Sequence, residues 1–311
     1  MNWFVLGKMS KKVIERNSYY FQIAGHYMQL SVSENIDIER LLPSFSDFRV
    51  VEVQESTDVF KIELMSRFND IENQSNRLLN CRSDIWNGCR FEESSDKYIT
   101  RLKGNKEDSE WIMSSSRDFK HSIIYFVEDE LYISPVVSWL LMVTYSQAIL
   151  FLKSILVHAS VVLKDGRGYA FLGKSRVGKS THSKLWIETL KDCSLLNDEN
   201  PVVRIHEDGR VMVYGSPWSG KARSYHNQGV VLQGMACLRQ GDQNIFTKLE
   251  GKASLVHVIP SINSLNWNMS IFNQMLDTLE YILGRIPIGL LCCLPNEDSA
   301  KLCYGEVIEG S

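Results

Sequence analysis

Residues 173–180 read Gly173-Lys174-Ser175-Arg176-Val177-Gly178-Lys179-Ser180, the pattern G-x-x-x-x-G-K-[ST]. Each position has a physical task. The glycines let the backbone curl so that successive N–H groups face one anion. The helix expected to follow, opening near Thr181, adds its positive N-terminal end. Lys179 can reach the outer phosphates of a nucleotide, and the Ser180 hydroxyl can hold a bridging Mg²⁺. Two carboxylates, Asp198 and Glu199, come 19 and 20 residues after Lys179, at the end of the apolar stretch Leu195-Leu196. One carboxylate at a strand end beside such a loop can hold the metal and another can accept the proton of an attacking hydroxyl. His158 lies inside the apolar run Leu156-Val157-His158-Ala159. From its surroundings alone it reads more readily as a satisfied core residue than as a catalytic one. A further loop, Gly215-Ser216-Pro217-Trp218-Ser219-Gly220-Lys221 with Arg223 beyond it, reads as a tight turn or as a second anion-contacting loop.

The elements needed to position these residues are visible in the pattern. Tyr169 to Leu172 is an apolar strand leading into the loop, and Ser180 to Leu190 a helix leaving it. Val157 to Leu163 and Gly168 to Leu172 form a hairpin over the turn Lys164-Asp165-Gly166-Arg167. A second hairpin joins Val202–Ile205 to Val211–Tyr214. Trp267 to Leu283 is an amphipathic helix with Ile271, Met275, Leu279 and Ile282 on one face. Ile286 to Leu294 is a late strand, and Glu297 to Leu302 a short last helix.

Further back, Val59 to Leu64 alternates as a strand, and Phe119–Val127 pairs with Glu130–Ile133 across a turn at Glu128-Asp129. Residues 66–118 are polar and read as loops with small edge elements, Trp86 and Trp111 anchoring them in the core. Ser138 to Ile155 reads as one hydrophobic helix bridging two halves. The expected domains are 1–137, of mixed α+β character and unknown role, the helix 138–155, and a nucleotide-binding domain 156–311.

The chain of 311 residues, 44% apolar and 23% charged, is that of a globular protein. A net charge of -3 disfavours a nucleic-acid coat. Ser138, Thr144, Ser146 and Gln147 interrupt the apolar stretch from Pro135 and argue against a membrane span. Seven cysteines without C-x-x-C spacing read as free thiols of a reducing, cytoplasmic compartment. Oligomeric state is left open.

Together, the strand bearing His158, the loop at 173–180 and the acidic pair that follows resemble the C-terminal catalytic domain of HPr kinase/phosphorylase. They resemble, more distantly, the core of ATP-dependent phosphoenolpyruvate carboxykinase. The likeness covers roughly residues 155–311. It implies an α/β (α+β) fold: a P-loop kinase domain on a mixed, β-rich core with a smaller β-rich N-terminal domain. It also implies ATP and Mg²⁺ as ligands, with Asp198 as base or shared base and metal ligand, Glu199 on the metal side, and a functional His158. Lys179 and Arg176, with Lys221, would neutralise the transferring phosphoryl group. The acceptor would be a hydroxyl, plausibly a serine of a protein or peptide. A small-molecule kinase and a regulatory ATP-binding module without transfer chemistry are the alternatives. The chain departs from the family where Arg176 stands in place of a frequent glycine and Glu199 in place of a second aspartate. The Arg-Gly signature tied to dephosphorylation is missing, as is an oxaloacetate-binding arginine motif.

Overall fold

The computed structural model describes residues 15–51, 53, 59–66, 80–82, 89–106, 109–219 and 225–309. Trp86, Lys221 and Arg223, singled out above, lie outside them.

The first sheet is built from β1 (Arg16–Ile23), β2 (His26–Ser33), β3 (Arg49–Val50), β4 (Val59–Ser66), β5 (Asn80–Arg82), β6 (Arg90–Glu93), β7 (Lys97–Lys103), β8 (Glu110–Ser116) and β9 (His121–Phe126). Its strand order is β3-β1-β2-β4-β9-β8-β7-β6-β5. It is mixed, because β4 runs parallel to both β2 and β9. Ala24 and Gly25, at φ 52° and 78°, close the two-residue turn between β1 and β2. Positive φ at both turn residues matches the right-handed twist of the flanking strands. The short helix α1 (Ile38–Leu41) starts on an Asp37 cap, whose side chain accepts from the N–H groups of Glu39 and Arg40.

Two expectations fail here. Residues 90–116 are three paired strands rather than loops. Their polar residues either face outward or, like Thr100 and Ser115, are buried in the sheet. Glu130–Ile133 is not a strand, since Glu128–Glu130 forms a 3₁₀ turn. The Glu130 carboxylate is buried there and accepts from Trp111 Nε1, Ser109 Oγ and the N–H groups of Asn105 and Lys106. Those donors hold its pKa down at about 2 against the opposing effect of burial.

The bridging helix is also shorter than expected. Helix α2 (Val136–Ala148) gives way to a 3₁₀ turn at Ile149–Leu152, and Lys153 stops it in the left-handed region at φ 53°. Most of its residues are buried, on every side. Tyr145 Oη donates to Ile23 O in the first sheet. The Gln147 amide donates to Asn263 O and accepts from Leu265 N. The polar residues that interrupted the apolar run therefore serve interior hydrogen bonds. No helix among the described residues is long and apolar enough to cross a membrane.

The second sheet takes β10 (Ser154–Leu156), β11 (Ala159–Lys164), β12 (Arg167–Leu172), β13 (Cys193–Glu199), β14 (Val202–Ile205), β15 (Val211–Tyr214), β16 (Gly229–Gln240), β17 (Ile245–Lys248) and β18 (Ile288–Cys293). Its order is β10-β14-β15-β16-β12-β11-β13, with β18 against β16 and β17 against β18. Only the β12–β16 and β16–β18 pairs are parallel. Both expected hairpins form, β11–β12 over Asp165-Gly166 and β14–β15 in the expected register. Helix α3 (Lys179–Thr189) follows β12. Helices α4 (Gly251–Val258), α5 (Met269–Leu283) and α6 (Glu297–Glu309) complete the chain, α6 running beyond the short helix expected. The 12-residue strand β16, absent from the sequence reading, is the centre of this sheet. Two mixed sheets with helices make the fold α+β. One hydrophobic core runs from the inner face of the first sheet through α2 to β10–β16 and α5. Cys89, Cys193, Cys237, Cys292, Cys293 and Cys303 are free thiols.

Candidate functional site

The register of the second sheet decides what meets what. Ala159 on β11 lies opposite Leu172 on β12 and opposite Glu199 on β13, and Leu172 in turn opposite Cys237 on β16. One row across four strands thus brings together the residue after His158, the residue before Gly173, and Glu199. The sequence separates these by tens of residues; antiparallel pairing puts them at one end of the sheet.

From that end the chain leaves β12 into the loop. Gly173 sits at φ 141° and Gly178, the cap of α3, at φ 112°. A Cβ on Gly173 would lie 2.9 Å from Val177 Cγ1 and 3.1 Å from Leu238 O, so the close approach itself requires glycine. Arg176, at φ 66°, occupies the left-handed region with a side chain. Glycine adopts this conformation without the cost a side chain brings. Lys174, Ser175, Arg176, Ser180 and Thr181 are exposed, as a surface open to a ligand requires, while Lys179 is only 8% exposed. Its ammonium folds back to donate to Gly173 O at 2.9 Å and Lys174 O at 3.3 Å. Burial lowers its pKa, and the charges of Asp198 and Glu199 act in the opposite direction. Two backbone carbonyls are the hydrogen-bond partners of this ammonium among the described residues.

Ser180 Oγ donates to Asp198 Oδ1 at 3.0 Å, joining the first turn of α3 to the end of β13. The hydrogen bond places these two oxygen groups side by side at the loop end of the sheet. No cluster of three or more His, Cys, Asp or Glu side chains is placed to hold a metal among the described residues. Glu199 follows Asp198 directly, and a regular strand would send the two to opposite faces. Glu199 instead sits at φ 140°, and the charges of both carboxylates are felt by Lys179. Desolvation and the Asp198 charge raise the Glu199 pKa, with Lys179 opposing them.

His158 is half-buried at the same end. Its backbone N–H donates to Ser261 O at 2.6 Å. Burial and then the Lys179 charge lower its pKa, partly offset by a hydrogen bond to the Glu199 backbone and by Asp198. It is thus a neutral imidazole within the field of the site.

Sequence reasoning passed over the asparagines. Asn197, fully buried, donates to Ser216 O at 3.0 Å and accepts from Asn200 N at 3.1 Å. Asn200 donates to Trp218 O and accepts from Asn263 Nδ2. The loop at 215–219 is thereby laced to the acidic strand end, with an isolated bridge pairing Glu199 with Ser219. Trp218 anchors that loop by packing on Tyr145 and Phe45 and donating to Ser138 O. Two asparagines flanking an acidic pair in Asn197-Asp198-Glu199-Asn200 were the available signal.

No family model and no curated protein matches this chain. Among solved structures it is similar to the Hpr(Ser) kinase/phosphatase from Coxiella burnetii, at 11% identity and a TM-score of 0.29, covering 50% of this chain and 94% of that one. A likeness of that size bears no weight beside the geometry.

Proposed function

We propose that this chain is an ATP-dependent phosphotransferase with its site at the loop 173–181 and the end of β13, carried by a P-loop kinase-like domain at 156–311. The observation that carries the reading is the meeting of Ser180 with Asp198 above a loop whose buried Lys179 is satisfied only by carbonyls. The N–H groups of 174–180 and the start of α3 would cradle the ATP phosphates. Lys179 and Arg176, with Lys221, would balance charge on the transferring group. Ser180 and Asp198, with Glu199 on the metal side, would hold Mg²⁺, which would supply charge neutralisation to the phosphates. Asp198 takes the proton of an acceptor hydroxyl as that oxygen bonds to the γ-phosphorus. The bond from the γ-phosphorus to the bridging oxygen breaks, and ADP leaves. His158, neutral and fixed by Ser261 and Glu199, orients the acidic strand end. The acceptor is the hydroxyl of a serine in a protein or peptide, and residues 1–137 are where its recognition would reside. Catalysis of this kind is mostly positioning and electrostatics.

The test is a titration of Mg·ATP into the wild-type chain and Lys179→Ala. Loss of binding by tenfold or more supports the assignment, and undiminished binding refutes it. Incubation with radiolabelled ATP and serine-containing peptides then separates transfer from binding alone.

A further inference from the structure

A cavity of about 890 Å³ opens at the seam of the two sheets, and none of the loop residues 173–180 lines it. Gly25 and His26 from the β1–β2 turn form one wall, Lys153 and Arg204 a second, and Thr278 and Tyr281 of α5 a third. The volume is in the range of small-molecule sites.

Arg204 sets its chemistry. The guanidinium is half-buried and donates to Ala24 O at 2.7 Å, crossing from β14 to the first sheet. It reaches that carbonyl because residue 25 is glycine; a Cβ there would fall 2.3 Å from Arg204 Nη1. No carboxylate pairs with Arg204 among the described residues, although a partly buried cation without a counter-charge is costly. The neighbouring histidines do not add to the charge. His26 is held neutral by burial and then by Arg204, its pKa near 3, with its Nε2 paired to Ser154 Oγ. The pKa of His206 is lowered by desolvation and the same arginine. Lys153, exposed at the mouth in its left-handed conformation, is the second cation. Glu207 and Asp277 stand exposed on the rim.

We propose that this cavity is a second binding site, for a small organic anion that presents a carboxylate or phosphate group to Arg204. Bound there, the ligand would touch the first sheet, β14 and α5 together. The site stands apart from the nucleotide reading, and neither depends on the other.

The experiment uses the full chain carrying Lys179→Ala, so that the ammonium of the phosphate-binding loop is gone. Inorganic phosphate and, separately, succinate are titrated by calorimetry, with the melting curve of each variant recorded alongside. At least one probe is expected to bind. Arg204→Gln should weaken that binding by about tenfold or more, as the loss of a charged hydrogen bond implies, and Arg204→Lys should keep most of it. Asp277→Arg, on the exposed rim, should tighten it several-fold and decides the matter if Arg204→Gln does not fold. A preference for phosphate or for succinate names the anion. No binding of either probe, or binding indifferent to both Arg204→Gln and Asp277→Arg, overturns the proposal.

Discussion

Asn197→Ala tests whether the acidic strand end is held by the asparagine network. Asn197 has no exposed surface and makes two hydrogen bonds to groups that are themselves buried, the Ser216 carbonyl and the Asn200 N–H. Alanine removes both partners at once and supplies nothing. A buried polar group left unsatisfied costs about 1–3 kcal/mol, so the pair sets an expected loss of about 2–6 kcal/mol. The loop at 215–219 and the Asp198–Ser180 contact would loosen together, so Mg·ATP affinity should fall with stability. Urea unfolding measures the first quantity and nucleotide titration the second. The Asn197→Ala, Asn200→Ala double mutant should lose less than the sum of the singles, because the two side chains serve one network. Additive losses, or a single-mutant loss under about 0.5 kcal/mol, would show that the network does not bear on this strand end, whatever the loop binds.

Arg176 occupies the left-handed region at φ 66°, where an L-residue is strained by about 1–2 kcal/mol. Arg176→Gly removes that strain while making the unfolded chain looser by about 0.4–1 kcal/mol, so urea midpoints should hold or rise slightly; Arg176→Val should lower them clearly. His182, buried and accepting from Trp186 Nε1 at 3.1 Å, has its pKa lowered by burial from 6.5 to about 4. A depressed histidine contributes stability that is full above pH 6.5 and is lost as pH falls through its folded value. That gap is worth about 3 kcal/mol. His182→Gln should flatten the decline of stability between pH 6.5 and 4, leaving the shares due to His26, His158 and His206; an unchanged slope would disprove the assignment.

What the sequence made legible followed from local rules. Asp165-Gly166 needed two positive φ values and has them, 52° and 73°. The G-x-x-x-x-G-K-S motif lies between a strand, β12, and a helix, α3, as its flanking sequence predicts. What stayed hidden depended on partners far along the chain. Strand β16 carries Gln233 and Gly234 amid apolar residues, and nothing local marks it as the central strand between β12 and β18. The run from Ile149 to Leu156 is equally apolar as helix or strand, so the stop at Lys153 could not be read. Strand β7 looked like loop because Lys97, Thr100 and Arg101 are polar. Thr100 is nonetheless buried in the sheet, and Arg101 is paired with Glu92 and Glu110.

Two non-glycine residues at positive φ belong to this end of the sheet, Arg176 within the loop 173–180 and Glu199 at the end of β13. Conformations of this kind persist only where the surroundings over-determine them. Around Glu199 the determinants are visible: pairing with Ala159 on β11, the isolated bridge to Ser219, the hydrogen bond to His158, and the Asn197 and Asn200 side chains on either side. Against the burial that lowers it, the charges of Asp198 and Glu199 both raise the pKa of the Lys179 ammonium. Desolvation and then the Asp198 charge raise the Glu199 pKa, Lys179 opposes them, and Asp198 meets Ser180.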